Sequence, residues 1–431
     1  MTLGSLDPGM SFYGEEKGRS LGKREQRTAR GKPVNLLHIG KTAAAIAAAL
    51  LALTGCSGGA AETARHRSAP EPARLTITPA DGTQRARPDH PIVVQAAGGT
   101  IRQVTVERVD AEGGVADGGV EGTLSADRTR WTSRWTLAPD TGYRVTAVAV
   151  SPDGRAATLT STFTTLKPKE TIRVSAVAPM QDETVGVGMP IILSFDRPVY
   201  NKAEVERALQ VTASKPVEGA WRWVGRQQVI YRTKKYWPAH TEVKLTARMK
   251  GVRAAKDVYG TRNLTLRFKV GDEQISTASA RTHQMTVTKN GKVVRKIPVS
   301  MGKATKYAYT TTSGVHLTME KAYHVVMDSA TVGIPKGHPE YYRLDVYYAV
   351  RISNSGEFTH SAPWSVYAQG RANVSHGCVN MSPANAAWFY RFTRRGDIYK
   401  ITGTSRELEW DNGWGYWQLS WKEWKKGSAL N

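Results

Sequence analysis

Ser375-His376-Gly377-Cys378-Val379-Asn380 is the densest run of chemistry-bearing residues in the chain, and its reading orders everything around it. Upstream, His360 stands in Phe358-Thr359-His360-Ser361-Ala362-Pro363-Trp364. A free thiol ionises near about 8.5, so a cysteine nucleophile at neutral pH needs a neighbouring base or cation. An imidazole supplies one, then returns the proton to a leaving amine as general acid. Gly377 lets the main chain approach closely beside the sulfur, and its N–H, with that of Cys378, is expected to face a developing oxyanion. Two histidines compete for the role of base. His376 shares a face with Cys378 if the segment is a strand, whereas His360 can arrive from a neighbouring strand. Spacing alone does not choose between them. The residues read as cysteine-based acyl transfer.

Downstream, Ser382 is a suitable cap and Pro383 a suitable first residue for a helix over residues 383–392. Upstream, Met285-Thr286-Val287-Thr288 and Lys292-Val293-Val294-Arg295 flank Lys289-Asn290-Gly291, a hairpin signal. Further strands are expected at residues 347–352 and 397–401. Residues 272–403 thus form a mostly β unit with one short helix. Residues 74–167 and 168–271 each read as short alternating runs separated by turns rich in Gly, Asp and Pro. Both close on a similar run, 159–165 in one and 264–270 in the other. The fold class expected is mainly β, with two Ig-like β-sandwiches followed by a β-rich catalytic domain. Neither sandwich contains a cysteine, and both read as spacers.

The chain has 431 residues, a formal net charge of +23, 40% hydrophobic and 8% aromatic residues, which supports ordinary cores and argues against wholesale disorder. Its 2 cysteines exclude a disulfide scaffold and a four-cysteine zinc site. Lys17, Arg19, Lys23, Arg24, Arg27, Arg30, Lys32 and Lys41 precede an apolar run over 43–53 that ends in Leu53-Thr54-Gly55-Cys56. A basic region before a short apolar stretch reads as a secretory signal, too short for an ordinary spanning helix. The residues before Cys56 resemble a bacterial lipobox, which implies a lipoprotein signal over 1–56, lipidation at Cys56 and a flexible tether over 57–73. Location would then be extracytoplasmic, lipid-anchored to the outer face of the cell membrane and facing the cell wall. Cys378 would have no intramolecular partner, and a lone thiol in an oxidising exterior points to a chemical need for it.

Basic charge is spread along the chain. There is no basic stripe interleaved with aromatics and no zinc-finger or RNA-binding signature, so nucleic acid is not expected as a partner. Wall polymers and lipid headgroups are the anions an exported protein meets. No metal cluster or nucleotide-binding loop is seen, so no cofactor and no metal are expected. In the last segment, 404–431, Trp410, Trp414, Trp417, Trp421 and Trp424 recur at helical spacing, opposed early on by Gly413 and Gly415. This extension is expected to pack on the catalytic domain.

His360 followed by the Ser375–Asn380 block, inside an exported β-rich unit, resembles the L,D-transpeptidases of bacterial peptidoglycan synthesis, with their YkuD-type catalytic domain. The likeness extends through Ser300-Met301-Gly302-Lys303, Met327-Asp328-Ser329, Arg351-Ile352-Ser353, Gly356-Glu357-Phe358 and Asn385-Ala386-Ala387-Trp388-Phe389-Tyr390. The two sandwiches and the lipobox look like the actinobacterial lipoprotein members. The resemblance implies Cys378 as nucleophile, His360 as base, and the Ser361 main-chain carbonyl orienting the imidazole. His376 and Gly377 would shape the site, with Tyr342, Met327, Trp364, Asn380 and Ser375 on the substrate side. Residues from about 312 to 343 match the family's lid. Val332 stands where mycobacterial relatives carry a second lid tyrosine, so the strength of donor and drug binding is not carried over from them. The activity implied is 3→3 crosslinking of peptidoglycan stem peptides, donor and acceptor, with release of D-Ala. Hydrolysis by the same thiol, as an L,D-carboxypeptidase, is the alternative, and a non-catalytic wall-binding lipoprotein is a further one. Susceptibility to carbapenems is also implied.

Overall fold

Strands that alternate buried and half-buried residues build the chain from its first described residues. In Gly142–Val150, Tyr143, Val145, Ala147 and Ala149 are buried while their neighbours are not, the period of a sheet with one face on a core. The computed structural model describes residues 72–110, 114–116 and 119–430. The expected signal, Cys56 and nearly all of the expected tether lie outside the described residues.

The first sandwich sets Arg74–Thr78, Val93–Ala97, Arg130–Ser133 and Gly122–Leu124 against Val115–Ala116, Thr100–Val109, Gly142–Val150 and Ala156–Thr164. Its own core holds Ile92, Ile101, Trp131, Leu137, Tyr143 and Phe163. The second pairs the sheet of Val174–Ala178, Ile191–Phe195, Gln228–Thr233 and Gly219–Val224 with that of Thr184–Val185, Leu264–Val270, Glu242–Ala247 and Leu209–Ala213. The protein is mainly β, two Ig-like sandwiches before a β-rich third domain.

The third domain contains β1 (Gln274–Ser279), β2 (Gln284–Lys289), β3 (Lys292–Pro298), β4 (Thr312–Leu317), β5 (Lys321–Asp328), β6 (Arg343–Arg351), β7 (Phe358–Ser361), β8 (Val379–Met381), α1 (Pro383–Phe392), β9 (Ile398–Thr402) and β10 (Arg406–Glu407). One sheet runs β3-β2-β1-β9-β4-β10, the other β5-β6-β7-β8. Asn290 and Gly291, at φ 50 and 76, make the two-residue turn between β2 and β3. The Ser382 side chain caps α1 by accepting from the Asn385 N–H.

Residues 312–317 are not lid. They form β4, an inner strand paired with β9, in which Thr312, His316 and Leu317 are buried. The segment over the cleft starts at β5 and returns through β6. Val332 lies on it, at the end of a short 3-10 turn, Ser329–Val332.

The second sandwich and the third domain share a core. Val185, Met189 and Phe268 belong to one apolar cluster with Leu317 and Ile398. Gly186 and Gly188 donate main-chain bonds to the Arg395 and Gly396 carbonyls at 2.8 and 2.9 Å. A Cβ on Gly186 would sit 2.2 Å from the Asp397 nitrogen, so the backbones meet there only through glycine. By contrast, the first sandwich meets the second through polar links such as Thr136 Oγ1 donating to the Lys250 carbonyl at 2.6 Å. Deleting residues 74–167 is therefore expected to leave acylation of the remaining chain within about two-fold, because distant sites with separate cores act independently. Mass spectrometry of the shortened protein checks this, and a ten-fold loss would contradict it.

The tail packs on the third domain, as its position suggested, through Arg406–Glu407 beside β4 and through Asn412, whose Oδ1 accepts the Asn354 N–H at 3.0 Å, and its tryptophans also reach the second sandwich. Trp417, Trp421 and Trp424 donate their indole N–H groups to the Gly188 carbonyl, Glu218 and the Ala220 carbonyl at 2.9, 3.0 and 2.9 Å. The buried Arg232 guanidinium lies 4.6 Å from the Trp417 ring and 4.8 Å from that of Trp424. Gly413 and Gly415 break the helix that the spacing implied, leaving a 3-10 turn at Gly415–Gln418 and a short helix at Trp421–Lys425. Gln418 reaches the third domain, accepting from the Val315 N–H at 2.7 Å.

Candidate active site

β7 and β8 pair in parallel, with Thr359 opposite Val379 and His360 opposite Asn380. Side chains alternate along a strand, so Cys378, just before β8, falls on the same face as Asn380 and hence as His360. Cys378 and His360 line one cleft of about 270 Å³ with Met327, Tyr342, Trp364 and His376.

His360 is buried, and its Nδ1 lies 2.8 Å from the Ser361 carbonyl. A carbonyl only accepts, so Nδ1 carries the proton and Nε2 is left bare as a base. Burial pushes the imidazole pKa down to about 4. Cys378 is partly exposed to the cleft, and its Sγ–H donates to the Gly356 carbonyl at 3.6 Å. Burial pushes this thiol up to about 12, opposed by the Phe358 N–H facing the sulfur. The resting pair is therefore neutral thiol and neutral imidazole, and a thiolate arises by proton transfer between them.

The nucleophile turn is tied by one hydroxyl. Ser375 Oγ donates to the Cys378 carbonyl at 2.6 Å and accepts the Gly377 N–H at 3.1 Å. The Gly377 N–H is thus engaged within the turn instead of facing an oxyanion, because a buried serine two residues away closes the loop on it. Gly377 has φ +135, and its carbonyl accepts from Thr311 Oγ1 at 2.7 Å.

His376 is held differently. Its ring packs against Tyr309 and Tyr342, at 4.7 and 5.2 Å between centroids. Its Nε2 lies 3.9 Å from Glu340 Oε1. Glu340, on the segment over the cleft, is ion-paired with Lys303 and lies 3.5 Å from Lys306. The Lys303 and Tyr309 hydrogen bonds hold its carboxyl near about 2. Met327 and Cys378 each pack against the buried cluster of Val346, Ala349 and Phe358. Asn380 is buried, donating from Nδ2 to Ser365 Oγ at 3.0 Å. Trp364 is exposed at the mouth, its ring 6.0 Å from that of His360. The half-buried Tyr342 phenol is pushed up to about 12, first by desolvation and then by Cys378.

Sequence reading missed Tyr367, a 72% exposed aromatic on the cleft rim. Its place three residues after Trp364 was the available signal. Glu340 gave none, since its partners come from distant segments.

The pH response of acylation follows from these groups. His360 stays unprotonated, and base-competent, down to about 4, well below the ordinary imidazole value. Activity should thus be level through neutral pH and fall only as pH drops through the lowered pKa of His360. An acid limb near about 6.5 would show an unperturbed histidine as the base.

Fold and cleft together define a class of multidomain proteins in which Ig-like sandwiches carry a β-rich domain with a cysteine–histidine cleft. Residues 83–253 match the bacterial Ig domain family and residues 273–401 the L,D-transpeptidase catalytic domain. L,D-transpeptidase 2 of Mycobacterium tuberculosis is 38% identical over 359 residues, covering 83% of this chain and 85% of the relative. L,D-transpeptidase 5 of the same organism is 35% identical, over 88% of this chain and 82% of the relative. Among solved structures, an L,D-transpeptidase from Mycobacterium smegmatis is 36% identical with a TM-score of 0.45, over 54% of this chain and 99% of that one. An L,D-transpeptidase in complex with imipenem is 39% identical with a TM-score of 0.47, over 53% of this chain and 98% of that one. The chain belongs to the L,D-transpeptidase family.

Proposed function

We propose that the chain forms 3→3 peptidoglycan crosslinks through an acyl-enzyme on Cys378. The observation that carries this reading is a buried imidazole, tautomer fixed by the Ser361 carbonyl, in one cleft with the chain's partly exposed thiol. His360 Nε2 takes the Cys378 proton, and the sulfur attacks the carbonyl between the third residue of a tetrapeptide stem and its terminal D-Ala. The tetrahedral intermediate collapses as the C–N bond breaks. His360 returns the proton to the departing amine, and D-Ala leaves. The side-chain amine of another stem's third residue then attacks the thioester, loses its proton through His360 and restores the thiol. With the Gly377 N–H engaged, the Tyr342 hydroxyl on the cleft wall is the side chain we assign to the developing oxyanion. A carbapenem would meet the same sulfur, which opens the β-lactam ring and remains acylated.

Lipidation at Cys56 would anchor the protein outside the cell membrane, with the sandwiches holding the cleft toward the wall. The test is intact-protein mass spectrometry of residues 72–431 mixed with a disaccharide-tetrapeptide, beside Cys378→Ala. A mass gain equal to substrate less D-Ala, absent in the variant, together with crosslinked dimer in solution, is the expected result. An adduct that yields only tripeptide would make the enzyme a carboxypeptidase. No adduct on a folded protein would refute the substrate class.

A further inference from the structure

A second group of polar side chains is buried beside the nucleophile and takes no part in the steps above. Glu357 sits between Gly356, whose carbonyl accepts from Cys378 Sγ, and Phe358, whose N–H faces the same sulfur. Its Cγ is 3.9 Å from where a Cβ on Gly377 would stand. One carboxylate oxygen accepts the Thr312 N–H at 2.7 Å, and the other lies 2.8 Å from Thr312 Oγ1 and 3.5 Å from Ser355 Oγ. Thr312 Oγ1 is in turn 2.7 Å from His316 Nε2, and His316 Nδ1 is 3.3 Å from the Gly314 carbonyl. Glu357, Thr312 and His316 are 4%, 0% and 0% exposed, which shuts out bulk water.

Counting protons decides the charge of this group. Three links run in series: carboxylate to hydroxyl, hydroxyl to imidazole, imidazole to carbonyl. Each needs one proton. The Thr312 hydroxyl supplies one and a neutral imidazole one, while the carbonyl and an ionised carboxylate supply none. Two protons leave a ring lone pair facing the Gly314 carbonyl and a carboxylate that is hydrogen-bonded by Thr312 yet keeps a buried negative charge, which disfavours the Cys378 thiolate. A third proton, on Glu357 or, against the burial that lowers the His316 pKa and with the Glu357 charge opposing that effect, as the second on His316, fills every link and makes the group neutral overall.

We propose that Glu357, Thr312 and His316 share this third proton as a buried relay, making Glu357 a positioning residue for Cys378. It fixes the Gly356 carbonyl and the Phe358 N–H around the sulfur without presenting a net negative charge to the thiolate. The relay proton stays where it is during turnover, since the proton that leaves Cys378 goes to His360. Cys378 and, on β9, Tyr399, the register partner of His316, lie beside the relay, and the Arg351 guanidinium on β6 lies 4.5 Å from the neighbouring Phe358 ring. The inference rests on Cys378 as nucleophile, and its test needs no stem peptide.

The full chain labelled at its histidine ring nitrogens is read by NMR at neutral pH, with His316 assigned by the signals lost in His316→Gln. A protonated Nδ1, alone or with Nε2, is expected. A ring protonated at Nε2 with a bare Nδ1 is the two-proton state and would overturn the relay. In parallel, alkylation of Cys378 by iodoacetamide is followed by intact mass. Glu357→Ala is expected to slow it about ten-fold, and Glu357→Gln, whose amide fills the links without an added proton, to restore it to within about three-fold. A Gln variant about ten-fold faster than the parent would mean that the group keeps a net negative charge, and an Ala variant at the parental rate would mean that Glu357 positions nothing. Because iodoacetamide is not a wall substrate, failure here is separable from failure of the transpeptidase reading.

Discussion

His360→Ala is expected to slow acylation of Cys378 by about 10³-fold at neutral pH, within the range for loss of a general base. The size follows from the thiol. With its pKa pushed up to about 12, only a fraction on the order of 10⁻⁵ ionises unaided at neutral pH. His360 circumvents this by accepting the proton only as the sulfur attacks. Its Nδ1 is committed to the Ser361 carbonyl at 2.8 Å, so Nε2 is the basic atom, and burial keeps it free of a proton. His376 is worse placed, enclosed by two tyrosine rings with its Nε2 toward Glu340. The variant's remaining rate should climb about ten-fold per pH unit, because hydroxide then does the deprotonation. A loss under ten-fold, or a larger loss in His376→Ala, would assign the base to His376.

What the sequence made legible was local. The Asn290-Gly291 turn and the Ser382-Pro383 helix start are each specified by adjacent residues, and the structure contains both. The His360 and Ser375–Asn380 segments were also readable as chemistry, but their union depends on the parallel register of β7 and β8, which no local pattern encodes. Ser375 shows the limit within the motif itself. Its hydroxyl takes the Gly377 N–H that was expected to face an oxyanion, a matter of turn geometry and not of residue type. Residues 312–317 went wrong because resemblance assigned them to a lid, whereas pairing with β9 buries them. The relay at Thr312 and His316 was hidden by that same misplacement. The tryptophan spacing misled for a related reason. It satisfies a helical period, but what receives the indoles is Arg232 and the Ala220 carbonyl, about two hundred residues earlier.

Trp424→Ala is expected to destabilise the joined second sandwich and third domain by about 3–5 kcal/mol, the range for removing a large buried aromatic. Trp424 is 0% exposed and packs with Ile192, Ile230 and Tyr416. Its loss has two further consequences. The Ala220 carbonyl loses the indole N–H that donates to it at 2.9 Å, leaving an acceptor without that partner. Arg232 loses one of the ring faces over which its charge is spread. That guanidinium is 2% exposed, donates to the Tyr416 and Leu419 carbonyls at 2.6 and 3.1 Å, and is pushed down to about 10 by burial. Its neutralising surroundings come largely from the tail, so damage at Trp424 propagates to the strand that carries Arg232. Calorimetry should show the transition of the joined unit shifted down by about 6–15 °C. The first sandwich, with its separate core, should melt as before. At low temperature, where the variant is folded, acylation per molecule should be unchanged, because the tail contributes no side chain to the cleft lining. A shift of under about 1 kcal/mol would show the tail to be a surface appendage, and its aromatics would then be better read as a platform for wall glycans.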